Sequence, residues 1–132
     1  MSYLKVAQHR QMLEKWAAKE EIELFVIINN SGRVIDSFGE GDLSISEEKK
    51  HLLLMQVALQ SSMQGDHNEE FGKVRSCIIQ RNVLKFICCP ISEDKTALVV
   101  ANKATPDIDI INHINQLEDE AYTVSKGMPL LI

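Results

Sequence analysis

The stretch HLLLMQVALQ, residues 51–60, constrains the fold of this chain more than any other. Seven of its ten residues are apolar, and they do not keep to one side of a helix. Set about 100° apart around an axis, Ile45, Leu52, Met55, Leu59 and Met63 gather on one side, and Leu53, Leu54, Val57 and Ala58 on the other. Lys49, Gln56 and Gln60 make one thin polar stripe between them; His51 and Ser62 make the second. A helix apolar on both sides needs cover on both. A sheet can lie against one side. The other falls to another helix of the same chain or to a second copy, and we assign Leu53, Leu54, Val57 and Ala58, with the adjoining Ser61, to pairing with a second copy. At about 1.5–3 kcal/mol for each large side chain buried, two such faces are enough to hold a dimer.

The segments around this helix are short and change period often. Residues 2–21 have helical spacing, with Val6, Leu13, Trp16 and Ala17 on one face and Lys5, Gln8, Arg10, Gln11, Lys15 and Lys19 left for water. LFVIIN, the tetrapeptide Asn30-Ser31-Gly32-Arg33 and VIDSF read as strand, tight turn, strand, with Asn and Gly supplying positive φ. Ser44-Ile45-Ser46-Glu47 fits a capping box, Ser44 as N-cap and Glu47 at the third helical position. It starts a helix over residues 43–64 that Gly65-Asp66-His67-Asn68 breaks. VRSCIIQ, VLKFICCPI and TALVVAN follow, joined by Arg81-Asn82 and by Ser92-Glu93-Asp94-Lys95, as an antiparallel meander. Thr105 as N-cap, Pro106 after it and Asp107 and Asp109 in the first turn open a last helix. Its stripe is Ile111, Ile114, Leu117 and Ala121.

The expected fold is therefore α+β: a five-stranded antiparallel sheet sandwiched by helices, in the order helix, two strands, helix, three strands, helix. One domain over residues 1–125 and a short tail over 126–132 account for the 132 residues.

A net charge of −5 with no basic run argues against nucleic acid or an anionic membrane as the main partner. The N-terminal MSYLKVAQHRQ lacks the apolar core of a signal peptide, and no run approaches a membrane span, so no insertion is expected. Cys77, Cys88 and Cys89 are odd in number and make no disulfide framework, which reads as reduced thiols in a cytoplasm. Signs of chemistry are few. There is no phosphate-binding G-x-x-x-x-G-K-[ST] loop and no CxxC or HxxxH spacing for zinc. His9, His51, His67 and His113 are scattered, and Gly39-Glu40-Gly41-Asp42 is too acidic to cradle a phosphate. Cys88 and Cys89 should point to opposite faces of a strand as core residues, with Pro90 marking its end or a bulge. Trp16 should anchor the first helix to the sheet. No catalytic, metal or cofactor residue is predicted, and no cofactor.

The hairpin LFVIINNSGRVIDSFG, the meander VRSCIIQRNVLKFICCPISEDKTALVVANK and the two terminal helices together resemble the Roadblock (dynein light chain) family. That family shares a profilin-like layout with MglB-type GTPase-activating proteins and the Ragulator subunits. The likeness covers residues 2–125, and the helix ahead of the first strand separates it from longin domains, which lack one. The resemblance implies a dimer made through the central helix and the strand over residues 74–81, joining two sheets into one. On that strand the implied contacts are Val74, Ser76, Cys77, Ile78 and Ile79. An edge strand whose middle carries no charge is a hazard unless something pairs with it, which points the same way. The resemblance implies a non-enzymatic module, paired with itself or a related Roadblock subunit, that scaffolds or regulates a small Ras-like GTPase. Arg33 is the candidate GTPase contact. A GTPase activator is the alternative, with a longin-type trafficking module and a small-molecule sensor behind it.

Overall fold

The structure is a computed structural model and describes residues 2–117, with side chains from residue 9 onward. The predicted stripe residue Ala121, the side chain of Val6 and the tail over 126–132 lie outside the described residues.

Two strands set the architecture, because neither can face water on either side. In β1 (Leu24–Asn29) the first five residues are buried, and in β5 (Lys95–Asn102) Thr96 to Ala101 all are. Side chains alternate across a strand, so such runs need cover on both faces. The two pair antiparallel, from Leu24 opposite Val100 to Asn29 opposite Lys95. β2 (Val34–Ser37) flanks β1, and β4 (Leu84–Ser92) flanks β5 and carries β3 (Cys77–Gln80) on its far side. The sheet order is β2-β1-β5-β4-β3.

On one face lie α1 (Ser2–Lys19) and α4 (Asp107–Gln116), burying Leu13, Ala17, Ile110 and Ile114 against Phe25, Ile27, Ile87 and Val99. On the other lies α2 (Glu47–Gly65), burying Leu54, Val57 and Ala58 against Val26, Ile28, Leu98 and Val100. The predicted order of elements holds. A single-turn helix, α3 (Asn68–Phe71), is added after α2. Cys88 and Cys89 point to opposite faces, and a register shift falls between Pro90 and Ser92.

Local details depart from the sequence reading for traceable reasons. The cap of α2 is Ser46, not Ser44: its backbone is extended and its Oγ accepts the Lys49 N–H at 3.2 Å, so the box with Glu47 does not form. Pro106 takes the N-cap place of α4 without a side-chain cap bond, and Thr105 is buried before it. In the β1–β2 turn only Gly32 has positive φ, at 83°. The Asn29 carboxamide replaces the second such residue by accepting the N–H groups of Ser31 and Arg33 at 2.9 and 3.0 Å. β3 is also shorter than expected, since residues 74–76 approach the sheet without joining it.

Two of the interactions that tie the helices to the sheet involve α4 or the aromatic ring of α1. Lys85 on β4 is buried and ion-paired to Asp107 at the start of α4. Trp16 sits edge-on to Phe25 with centroids 6.0 Å apart, and stacks on His113 at 4.2 Å, joining α1 to both β1 and α4.

Asp107→Ala leaves the Lys85 ammonium buried without its carboxylate. It should cost about 2–3 kcal/mol in urea unfolding, short of the full cost for a buried pair because Asp107 is partly in solvent. At Gly32 a Cβ would stand 2.7 Å from the Met55 Cα, on a left-handed backbone. Gly32→Ala should therefore lower stability by about 2 kcal/mol or more in the same assay.

Candidate functional site

The α2 helix shows which of its two apolar sides is left over. Leu54, Val57 and Ala58 are between 3% and 6% exposed, and Leu53 is half-buried against the same core. Ser61 also faces inward, sharing a hydrogen bond with Thr96 of β5 at 3.2 Å. The side assigned from sequence to a partner is thus the side that lies on the chain's own sheet. The opposite stripe is the open one: Leu52 is 55% exposed, Met55 44%, Leu59 61% and Met63 57%, with Ile45 at 43% just before the helix. The inner stripe holds the smaller residues Ala58 and Ser61, and these let the helix settle close to the strands. That difference in size was the available signal.

The second part of the predicted interface stands at the sheet edge. Only β4 pairs with β3, which leaves the other side of β3 without a strand partner among the described residues. Ile78 is exposed; Val74, Ser76, Cys77 and Ile79 are half-buried. The C-terminal half of α2 adjoins this edge, where Gln60, Gln64, Val74 and Cys77 line one small cavity. The exposed stripe and the bare edge therefore belong to neighbouring parts of one surface. Arg33 is exposed at the tip of the β1–β2 turn, which abuts α2 through the contact of Gly32 with Met55.

The titratable groups are arranged for structure. His9 is buried and bonded to Gln116 at 3.1 Å, His113 stacks on Trp16, His67 lies beside Phe71, and His51 is exposed. Among the described residues no three His, Cys, Asp or Glu side chains converge as a metal ligand set. Burial pushes the Cys88 thiol up to about 12, with Cys77 and Cys89 adding smaller contributions, so Cys88 is a poor nucleophile at neutral pH. In the acidic loop Asp42 accepts a hydrogen bond from the Lys50 ammonium at 2.9 Å, which holds its carboxyl below the usual carboxylate range. A groove of about 520 Å³ opens between the end of α2 and the β4–β5 turn. Asn30, Ser62, Lys73 and Arg75 line it together with Val74 and Ile91, so its wall is mixed polar and apolar. No helix among the described residues is long and apolar enough to cross a membrane.

No protein-family model matches the sequence, and none of the curated proteins does. Solved structures do. Myxococcus xanthus MglB superposes with a TM-score of 0.70 over 91% of this chain and 96% of its own, at 11% identity. An MglB with a tetrameric arrangement gives 0.70 over 95% and 90%, at 12% identity. The Roadblock/LC7 domain from Streptomyces avermitilis gives 0.58 over 83% and 85%, also at 12%. At such identities the likeness lies in the course of the backbone, which the expected sheet and helix order had already indicated: this chain folds as MglB and the Roadblock/LC7 domains do.

Proposed function

We propose that the chain is a non-enzymatic interaction module that pairs with a second copy or a related subunit and presents the joined surface to a small GTPase. The observation that carries this reading is the row Leu52, Met55, Leu59 and Met63, apolar and open to solvent beside a strand edge that has no strand partner among the described residues. Large apolar side chains in a contiguous row on an acidic, otherwise ordinary surface mark an interaction site. Two antiparallel copies of α2 would bury both rows at once, and the same approach would bring two β3 edges together. The tetrameric arrangement reported for one MglB supports self-association on this fold. Of the interface expected from sequence, the proposal keeps Val74, Ser76, Cys77, Ile78 and Ile79, keeps Leu53 as a flank, and replaces Leu54, Val57, Ala58 and Ser61 by the outer row.

The GTPase part rests on the fold alone. Arg33 is the candidate contact, held out at a turn that α2 supports from behind. An activating role is the second reading, implied by the resemblance to MglB-type proteins.

Light scattering should give about twice the 14.9 kDa chain mass for the wild-type protein. Leu59→Glu and Met63→Glu should return one chain mass with the circular dichroism of the folded protein. Val57→Glu, placed inside, should instead unfold the chain by about 3 kcal/mol or more, from an unpaired buried charge. A wild-type monomer, or a dimer untouched by both outer variants, would remove the pairing reading.

A panel of purified Ras-like GTPases, each loaded with GTP, then separates the roles. Binding with an unchanged rate of phosphate release means scaffolding, and release at least tenfold faster means activation. Arg33→Ala should weaken either one without altering the mass. No binding across the panel counts against the GTPase reading while leaving the pairing intact.

A further inference from the structure

Cys77 and Cys88 stand directly opposite each other on β3 and β4. The Arg81 N–H donates to the Leu84 carbonyl at 2.9 Å, which marks Arg81 and Leu84 as a hydrogen-bonded facing pair. The pairing alternates along an antiparallel ladder, so Ile79 with Phe86, and then Cys77 with Cys88, are hydrogen-bonded pairs as well. The Cα atoms of such a pair are about 5.5 Å apart. Disulfides span about 4.4–6.8 Å between Cα atoms, a range that includes this pair, and closing the bridge draws the Cβ atoms together by about 1 Å from the separation usual in a hydrogen-bonded pair.

Direct cross-strand partners also share a face of the sheet. Cys88 is part of the core beneath α2, and Cys77 packs against that core. Both line a cavity of about 20 Å³ with Val57, Gln64, Val74 and Pro90. A void of that size holds about one water molecule, which leaves two sulfurs room to reorient. Cys89 faces the other side of the sheet and takes no part.

We propose that Cys77 and Cys88 form an oxidisable dithiol, whose disulfide fastens the edge strand β3 to β4. The half-buried Cys77 reacts first. Its thiolate attacks one sulfur of a small-molecule disulfide such as glutathione disulfide, forming a mixed disulfide and releasing one glutathione thiolate, which takes up a proton. Cys88 then loses its proton, and its thiolate attacks the Cys77 Sγ. The protein disulfide forms and the second glutathione leaves as a thiol. Two electrons pass from the cysteine pair to the glutathione pair. The second step is slow at neutral pH because burial disfavours the Cys88 thiolate, and it should quicken about tenfold per pH unit between 7 and 9. Once closed, the bridge holds a strand of only four residues that is paired on one side. The chemistry needs only the two cysteines and the oxidant, and Cys77 is at the same time a residue of the strand edge proposed for pairing.

The test is intact-mass spectrometry of the full chain incubated with excess glutathione disulfide. The expected product is about 2 Da lighter than the reduced protein, maps by peptide digestion to Cys77 joined to Cys88, and forms faster at pH 9 than at pH 7. Cys89→Ser should behave as wild type. Cys77→Ser should give no intramolecular bridge. Amide exchange over residues 77–80 should slow at least tenfold in the oxidised protein. A stable glutathione adduct on Cys77, a bridge between two chains through Cys77, or an unreactive Cys77 would each overturn the proposal.

Discussion

Everything else in this fold depends on two adjacent strands that are apolar on both sides. β1 and β5 form the middle of the sheet, and their buried runs cannot be solvated from above or below. The chain covers them with α1 and α4 on one face and α2 alone on the other. The two faces are therefore unequal. Where two helices share a face they also touch each other, and the contact between Trp16 and His113 shows how α1 and α4 satisfy one another. The α2 helix has no such neighbour among the described helices, so its outer row of Leu and Met side chains remains in water. The candidate surface follows from the way the core is closed.

Most of the architecture was legible because its signals are local. LFVIIN is too short and too β-branched for a helix, and the polar turns after it and between the meander strands fix the antiparallel order. The facing of α2 was legible only in the smaller size of Ala58 and Ser61, not in its period. Both of its stripes are apolar, and angular spacing says that they are opposite without saying which is inside. The answer needs the sheet itself, where Ser61 meets Thr96 and where the Gly32 turn meets Met55. The choice between Ser44 and Ser46 as the cap had the same character, with two equivalent hydroxyls two residues apart and only the approach of the chain to decide. The helix α3 carries no apolar period, and its one large apolar residue, Phe71, is almost fully exposed. Lys85 is the clearest case of a non-local cause. A lysine in a strand reads as a solvent-facing position, and it is buried here because Asp107, at the head of a distant helix, meets it.

The contact between the Gly32 turn and the Met55 backbone leaves no slack. Hairpin tip and helix touch main chain to main chain, where there is no side chain to change rotamer and absorb a shift. Met55 belongs to the open apolar row, and Arg33 is the next residue after Gly32. Any tilt or slide of α2 toward the turn therefore has to move the backbone that carries Arg33. Glycine at position 32 is what allows the hairpin tip and the helix to lie this close.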